Sequence, residues 1–273
     1  MKKLQMWCLS LAGVALLAGC TTVKETGRRQ LNFVSAGEEA KLGLTAFTEM
    51  KKEVPISKDA AANALVQKVG KKIAAIAGPQ MPDAQWEFVV FESKEANAFC
   101  LPGGKIGVYS GILPITKDEA GLATVISHEV AHAVAHHGAE RMSEATALQA
   151  GGQLVGALSA NTQPITQSVV GLAYGVGAKL GRELPHSRRQ ESEADHIGLK
   201  FMTRAGYEPE AAVDFWTRFS AFNDKAGGSS TPGFLRTHPV DSERIADLQK
   251  WIPEVKAEVS GSGSVKGSEV IGK

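Results

Sequence analysis

Two histidines and a glutamate stand in the order His128-Glu129-x-x-His132, inside the run Val125 to Val134. On a helix, residues four apart differ by about 6 Å of rise and about 40° of rotation, so the two imidazoles can converge on one ion. Neutral imidazole suits zinc, and a hydrolytic zinc site uses three protein ligands and leaves one position open. Glu129 lies about 100° around the helix from His128, beside the open position and not on the metal. It reads as a general base that takes a proton from water and passes it to a leaving group. Uncharged residues surround the motif, Val125, Ile126, Val130, Ala131, Ala133 and Val134 among them, so this helix is expected to be buried on nearly every side. Burying two imidazoles and a carboxylate without partners would cost several kcal/mol, which weighs against a coincidental surface triplet.

The motif is one ligand short. His136 stands about 12 Å along the axis from His128, too far to share an ion. Ala135 occupies the position where a third histidine further downstream would require glycine. The segment Arg188-Arg189-Gln190-Glu191-Ser192-Glu193-Ala194-Asp195 offers the missing group. In a helix Glu191 and Asp195 share a face, so that one carboxylate can bind metal while the other accepts an N–H from a ligating imidazole. Glu193 points roughly the opposite way and is expected to be dispensable for metal.

These side chains need a scaffold, and the chain supplies the signals for one. Ser35 followed by Glu38 forms a capping box opening a helix through about Lys52. Leu65, Val69, Ile73 and Ile76 repeat at helical spacing before Gly78-Pro79. Trp86 to Phe91 and Lys105 to Tyr109 have strand composition, and Asn97 to Leu101 with the turn Pro102-Gly103-Gly104 reads as a short strand entering a hairpin. From Asp118 onward the chain is mainly helical, with Gly138 and Gly206 as expected helix stops. The glycine-rich stretch Gly151 to Gly181 is split by Asn161-Thr162-Gln163-Pro164, and neither half supplies 18 uninterrupted apolar residues. A helical pair of small residues or a flap over the site fits it better than a membrane hairpin.

The whole chain has 273 residues, of which 30 are Lys or Arg and 29 Asp or Glu, and that balance excludes the basic footprint of a nucleic-acid binder. Three cysteines cannot frame a disulfide scaffold. Met1-Lys2-Lys3, an apolar stretch from Leu4 to Leu17 and Leu17-Ala18-Gly19-Cys20 have the layout of a leader, residues 1–19, cleaved before Cys20. The tetrapeptide resembles the bacterial lipobox, which implies lipidation of Cys20 and a hold on the bilayer by two or more acyl chains. By resemblance to bacterial sorting rules, Thr21 after that cysteine implies the periplasmic face of the outer membrane. Residues 20–34 are polar and read as a tether, residues 35–255 as the folded domain, and residues 256–273 as a Gly/Ser/Lys-rich flexible tail.

The HExxH motif, Glu191-x-x-x-Asp195, the hairpin Asn97-Ala98-Phe99 with Pro102-Gly103-Gly104, and Thr237-His238-Pro239 with Arg244 together resemble the HtpX and CAAX prenyl endopeptidase family of gluzincin metallopeptidases, over roughly Gly37 to Ile252. The lipobox narrows the resemblance to periplasmic lipoprotein members of the LoiP and BepA kind. HtpX-type membrane helices and a BepA-type C-terminal repeat domain are absent from this sequence. The resemblance implies an α+β, mainly helical, compact zincin-like domain with a small β-sheet beside the HExxH helix. It implies one Zn2+ held by His128, His132 and Glu191, with Asp195 behind them and Glu129 catalytic. An edge strand at Asn97, Ala98 and Phe99 would pair with extended substrate. His238 would contact the metal in a resting state or the reacting carbonyl, and Arg244 would orient that loop or donate to an oxyanion. Cys100 reads as a packed small residue. The implied activity is endopeptidase action on misfolded or unassembled envelope proteins, in contact with outer-membrane assembly machinery; a chaperone-like assembly factor with little proteolysis is the alternative, and the intact Glu129 speaks against pure binding.

Overall fold

The computed structural model describes residues 20–159, 184–225, 234, 238 and 242–261. Strands β1 (Cys20–Thr22) and β2 (Arg29–Leu31) form an antiparallel hairpin, where a tether was expected. The turn is closed by Val23 N–H to the Arg28 carbonyl and Gly27 N–H to the Val23 carbonyl, each 2.8 Å, with Gly27 at φ 71°. Polar composition hides this hairpin because its anchor is ionic: Arg28 is paired with Glu140 at 2.6 Å and Glu193 at 2.5 Å.

Helix α1 (Ala36–Glu53) opens on the Ser35–Glu38 capping box, with both reciprocal hydrogen bonds present. Helix α2 (Ala60–Ala77) is capped by Asp59 and buries Val66, Val69 and Ile73 before ending at Gly78. Three strands follow: β3 (Glu87–Phe91), β4 (Ala98–Leu101) and β5 (Lys105–Tyr109). The sheet order is β3-β5-β4, with β3 parallel and β4 antiparallel to β5. Residues 55–57 cover the outer side of β3, through Ser57 N–H to the Val90 carbonyl and Glu92 N–H to the Pro55 carbonyl. Strand β4 is therefore the other edge.

After the short α3 (Leu113–Thr116), Asp118 caps α4 (Glu119–Val134), in which every residue from Gly121 to Val134 is buried. The helix does not run on to Gly138. It breaks at Ala135-His136, with His136 at φ 56°, and Gly138 lies in the first turn of α5 (His137–Ser159). Glu39 accepts from His136 Nδ1 at 2.9 Å and so supports the left-handed residue. Helix α6 (Leu184–Arg204) stops at Gly206, φ 86°, as expected. Helices α7 (Glu210–Lys225) and α8 (Ser242–Gly261) complete the described chain. The expected tail is helical as far as Gly261, pinned where Lys256 meets Glu210 at 2.7 Å and Glu258 meets Arg204 at 2.6 Å. The leader 1–19, residues 160–183 of the glycine-rich stretch and residues 262–273 lie outside the described residues. The result is the expected α+β fold, mainly helical, whose core of α2, α4, α6, α7 and α8 packs beneath the sheet.

Candidate metal centre

Helix α4 carries His128, Glu129 and His132, and α6 lies against it at unusually close range. A Cβ placed on Gly198 would sit 3.0 Å from the His128 backbone nitrogen and 3.1 Å from its Cα. Glycine at 198 thus lets the two backbones touch, and Asp195 and Glu191, one and two turns earlier on the same face, arrive beside the imidazoles. Glu191 Oε2 lies 3.3 Å from His128 Nε2, and its Oε1 lies 3.3 Å from His132 Nε2. His238 Nδ1 lies 2.8 Å from Glu191 Oε2 and 3.1 Å from His128 Nε2. One ligand atom from each of His128, His132, Glu191 and His238 falls within 4.8 Å of all the others. Three imidazoles and one carboxylate form a donor set suited to zinc.

The surrounding groups fit an ion at that position. His128 Nδ1 is 2.9 Å from Asp195 Oδ1, which leaves Nε2 turned to the other donors. Arg244 holds Asp195 through two nitrogens at 2.7 Å each, and its guanidinium lies 3.4 Å above the Trp216 ring. Arg244 Nη1 also lies 3.5 Å from Glu191 Oε2. Glu129 Oε1 is buried with no hydrogen-bond partner among the described residues, and His238 Nε2 stands 3.4 Å from it. An orphaned carboxylate oxygen beside four convergent donors matches a site built to hold an ion with its water.

Burial holds the Glu129 carboxyl above its ordinary range, while the neighbouring His238 and His128 pull it back. For His128 burial acts against charging, yet the hydrogen bonds to Asp195 and Glu191 outweigh it and raise the imidazole to about 9. Burial lowers His132 well below the usual histidine value. Burial also pushes the Cys100 thiol up, which fits a packed residue and not a nucleophile.

Glu193 faces away from the donor set, as its helical phase requires. It is buried and engages Arg28, Thr26 and His137. Burial works against its ionisation; these partners overcome that and hold the carboxyl at about 2.

A cleft of about 540 Å³ opens on the donors, lined by Glu129, His132, Glu191 and His238 together with Asn97, Ala98, Phe99 and Leu101 at the sheet edge. The Phe99 ring packs with Phe47, Phe91 and Tyr109 at centroid distances of 6.1 to 6.3 Å.

The sequence profile of peptidase family M48 matches residues 60–252, which hold both the HExxH helix and the Glu191–Asp195 helix. The chain belongs to peptidase family M48. As an M48 protein it is a metalloendopeptidase that uses zinc, and His128, His132, Glu191 and His238 are the described residues placed to hold the ion. Its similarity to other M48 proteins extends across kingdoms. It is 35% identical over 253 residues to the mitochondrial metalloendopeptidase OMA1 of Schizosaccharomyces pombe, covering 91% of this chain and 72% of that one. To OMA1 of Saccharomyces cerevisiae it is 36% identical over 177 residues, 62% of this chain and 48% of that one. To the beta-barrel assembly-enhancing protease of Escherichia coli K12 it is 26% identical over 232 residues, 84% of this chain and 46% of that one. The chain thus spans nearly three quarters of the first relative and about half of the other two. Mitochondrial and bacterial members both match, so the similarity gives the M48 family and not the lipoprotein subtype.

Proposed function

We propose that this M48 protein is an endopeptidase held by lipidated Cys20 on the periplasmic face of a bacterial outer membrane, where it hydrolyses misfolded or unassembled envelope proteins. The observation that carries the reading is Glu129, buried beside the four donors with no hydrogen bond to Oε1 among the described residues, in a cleft that the sheet edge also lines. An extended chain lying along Asn97, Ala98 and Phe99 adds a strand to β4, and main-chain bonding of this kind tolerates many sequences, as clearance of unfolded protein demands. Zinc, when bound, supplies Lewis acidity that polarises the scissile carbonyl and makes water nucleophilic near neutral pH. Glu129 accepts the proton of the attacking water and delivers it to the leaving amine. Asp195 keeps the His128 ring in its ligating orientation, and Arg244 keeps Asp195 in place. Cys20 is exposed at the start of β1, and no helix among the described residues is long and apolar enough to cross a membrane, which supports an anchor of the lipid kind.

His238 inside the donor set supports a second reading, an assembly factor whose proteolysis is restrained until that imidazole withdraws. One experiment separates the two. Protein beginning at Thr21 is incubated with unfolded casein, with and without chelator, beside Glu129→Gln. Chelator-sensitive cleavage by wild type alone supports the protease; stoichiometric binding without cleavage supports the assembly factor.

A further inference from the structure

The metal-facing imidazoles are not supported alike. His128 leans directly on a carboxylate, whereas behind His132 stands another imidazole, His137, the first residue of α5. His132 Nδ1 and His137 Nδ1 are 2.8 Å apart, and His137 Nε2 is 3.0 Å from Glu193 Oε2. A carboxylate only accepts, so the His137 proton sits on Nε2 and its Nδ1 offers a lone pair. His132 Nδ1–H therefore donates to His137, which places the His132 lone pair on Nε2, the atom turned toward Glu191 and His128. Glu193 is fixed in turn by Arg28 Nε at 2.5 Å and by the Thr26 hydroxyl, both from the N-terminal hairpin. The other arm of Arg28 grips Glu140 at 2.6 and 2.8 Å, and Glu140 accepts from Gln190, the neighbour of Glu191, at 2.6 Å. His137, Glu140 and Gln190 are at most 1% exposed.

We propose that His137, Glu193 and Arg28 are positioning residues for zinc, a relay that fixes the tautomer and ring orientation of His132 and makes the β1-β2 hairpin part of the metal centre. The proposal rests on the reading that His132 binds the ion. A cluster serving stability alone has no need of an imidazole with this proton arrangement between the ligand and the carboxylate. The same chain would pass any displacement of the hairpin to a metal ligand.

The test uses the full chain purified in detergent. Zinc affinity is measured by competition with a chromophoric chelator, geometry by the visible spectrum of the Co2+-substituted protein, and stability by thermal unfolding of the metal-free protein. His137→Leu is expected to raise the zinc Kd by about 10- to 100-fold and to alter the Co2+ bands. His137→Asn, whose Oδ1 stands near the position of Nδ1, restores the acceptor and should hold the Kd within about threefold of wild type, well short of the loss in the leucine variant. Arg28→Ala, on the hairpin and remote from the ion, should shift the Kd in the same direction as His137→Leu, and it keeps the test open where the leucine variant fails to fold. A lower melting temperature with unchanged Kd and unchanged Co2+ bands in Arg28→Ala and His137→Leu would reduce the relay to a structural ion-pair cluster. Wild-type protein that takes up no zinc would defeat the metal-centre reading, and the relay with it. Wild-type uptake with indifferent variants would defeat the relay alone.

Discussion

Glu129 separates hydrolysis from mere binding, because a binding groove has no use for a buried carboxylate set beside a cluster of metal donors. Glu129→Gln is expected to keep the fold and the zinc while losing turnover by about 10² to 10⁴, the usual worth of a positioned base. Casein hydrolysis and elemental analysis of the same preparation check both halves. His128→Ala, His132→Ala and Glu191→Ala each remove one of the convergent donors and should lose bound zinc in that analysis. For His238→Ala the geometry predicts something different. Its Nδ1 sits among the donors, 2.8 Å from Glu191, so removing it should open the position that substrate needs and raise casein turnover while three ligands retain the metal. A fall in turnover of roughly 10² at constant zinc would assign it instead to the developing oxyanion. At this scale Glu191 and Asp195 were legible, because four-residue spacing is a local rule. Glu193 was not. Its partners lie 165 residues upstream at Arg28 and in another helix at His137, and helical phase alone cannot say that the opposite face is buried too.

Two glycines show how the elements carry the site, and they point in opposite directions. At Gly198 an added Cβ would meet backbone atoms of α4 at 3.0 to 3.1 Å, and backbone cannot swing aside as a side chain can. Gly198→Ala should therefore push α6 off α4, destabilise the metal-free protein by about 1 to 3 kcal/mol, and weaken zinc as Glu191 and Asp195 retreat. Gly138 has nothing within 4 Å of its absent Cβ and lies inside α5. Gly138→Ala should stabilise the fold by up to about 1 kcal/mol of helix preference and so raise the melting temperature slightly. Thermal unfolding of both variants tests the pair. The helices and strands of the catalytic half were readable from periodicity and caps, as the Ser35–Glu38 box and the β4–β5 hairpin show. The break after α4 was not, because it uses a left-handed histidine where local rules expect glycine, and the compensating Glu39 sits 97 residues earlier.

For the molecule as a whole, the N-terminal hairpin changes what an anchor at Cys20 would mean. A tether of some fifteen residues would let the domain wander over a wide arc. Here β1 begins at Cys20 itself, and Arg28, eight residues on, is ion-paired to Glu140 and Glu193 in the body of the domain. An acylated Cys20 would leave little slack, holding the domain close against the bilayer. If Cys20 carries the proposed acyl chains, Cys20→Ser should abolish incorporation of labelled palmitate and move the protein into the soluble fraction. The same variant should keep full zinc and undiminished cleavage of soluble unfolded casein, because Cys20 is exposed and Arg28 remains on Glu193. Removal of residues 20–31 as well should lower zinc affinity, because the hairpin that holds Glu193 is lost. Fractionation after a high-salt wash, with zinc measured on each form, distinguishes the cases: a Cys20→Ser protein that stays on the membrane would place the anchor elsewhere, with Gly151 to Gly181 the segment to examine first.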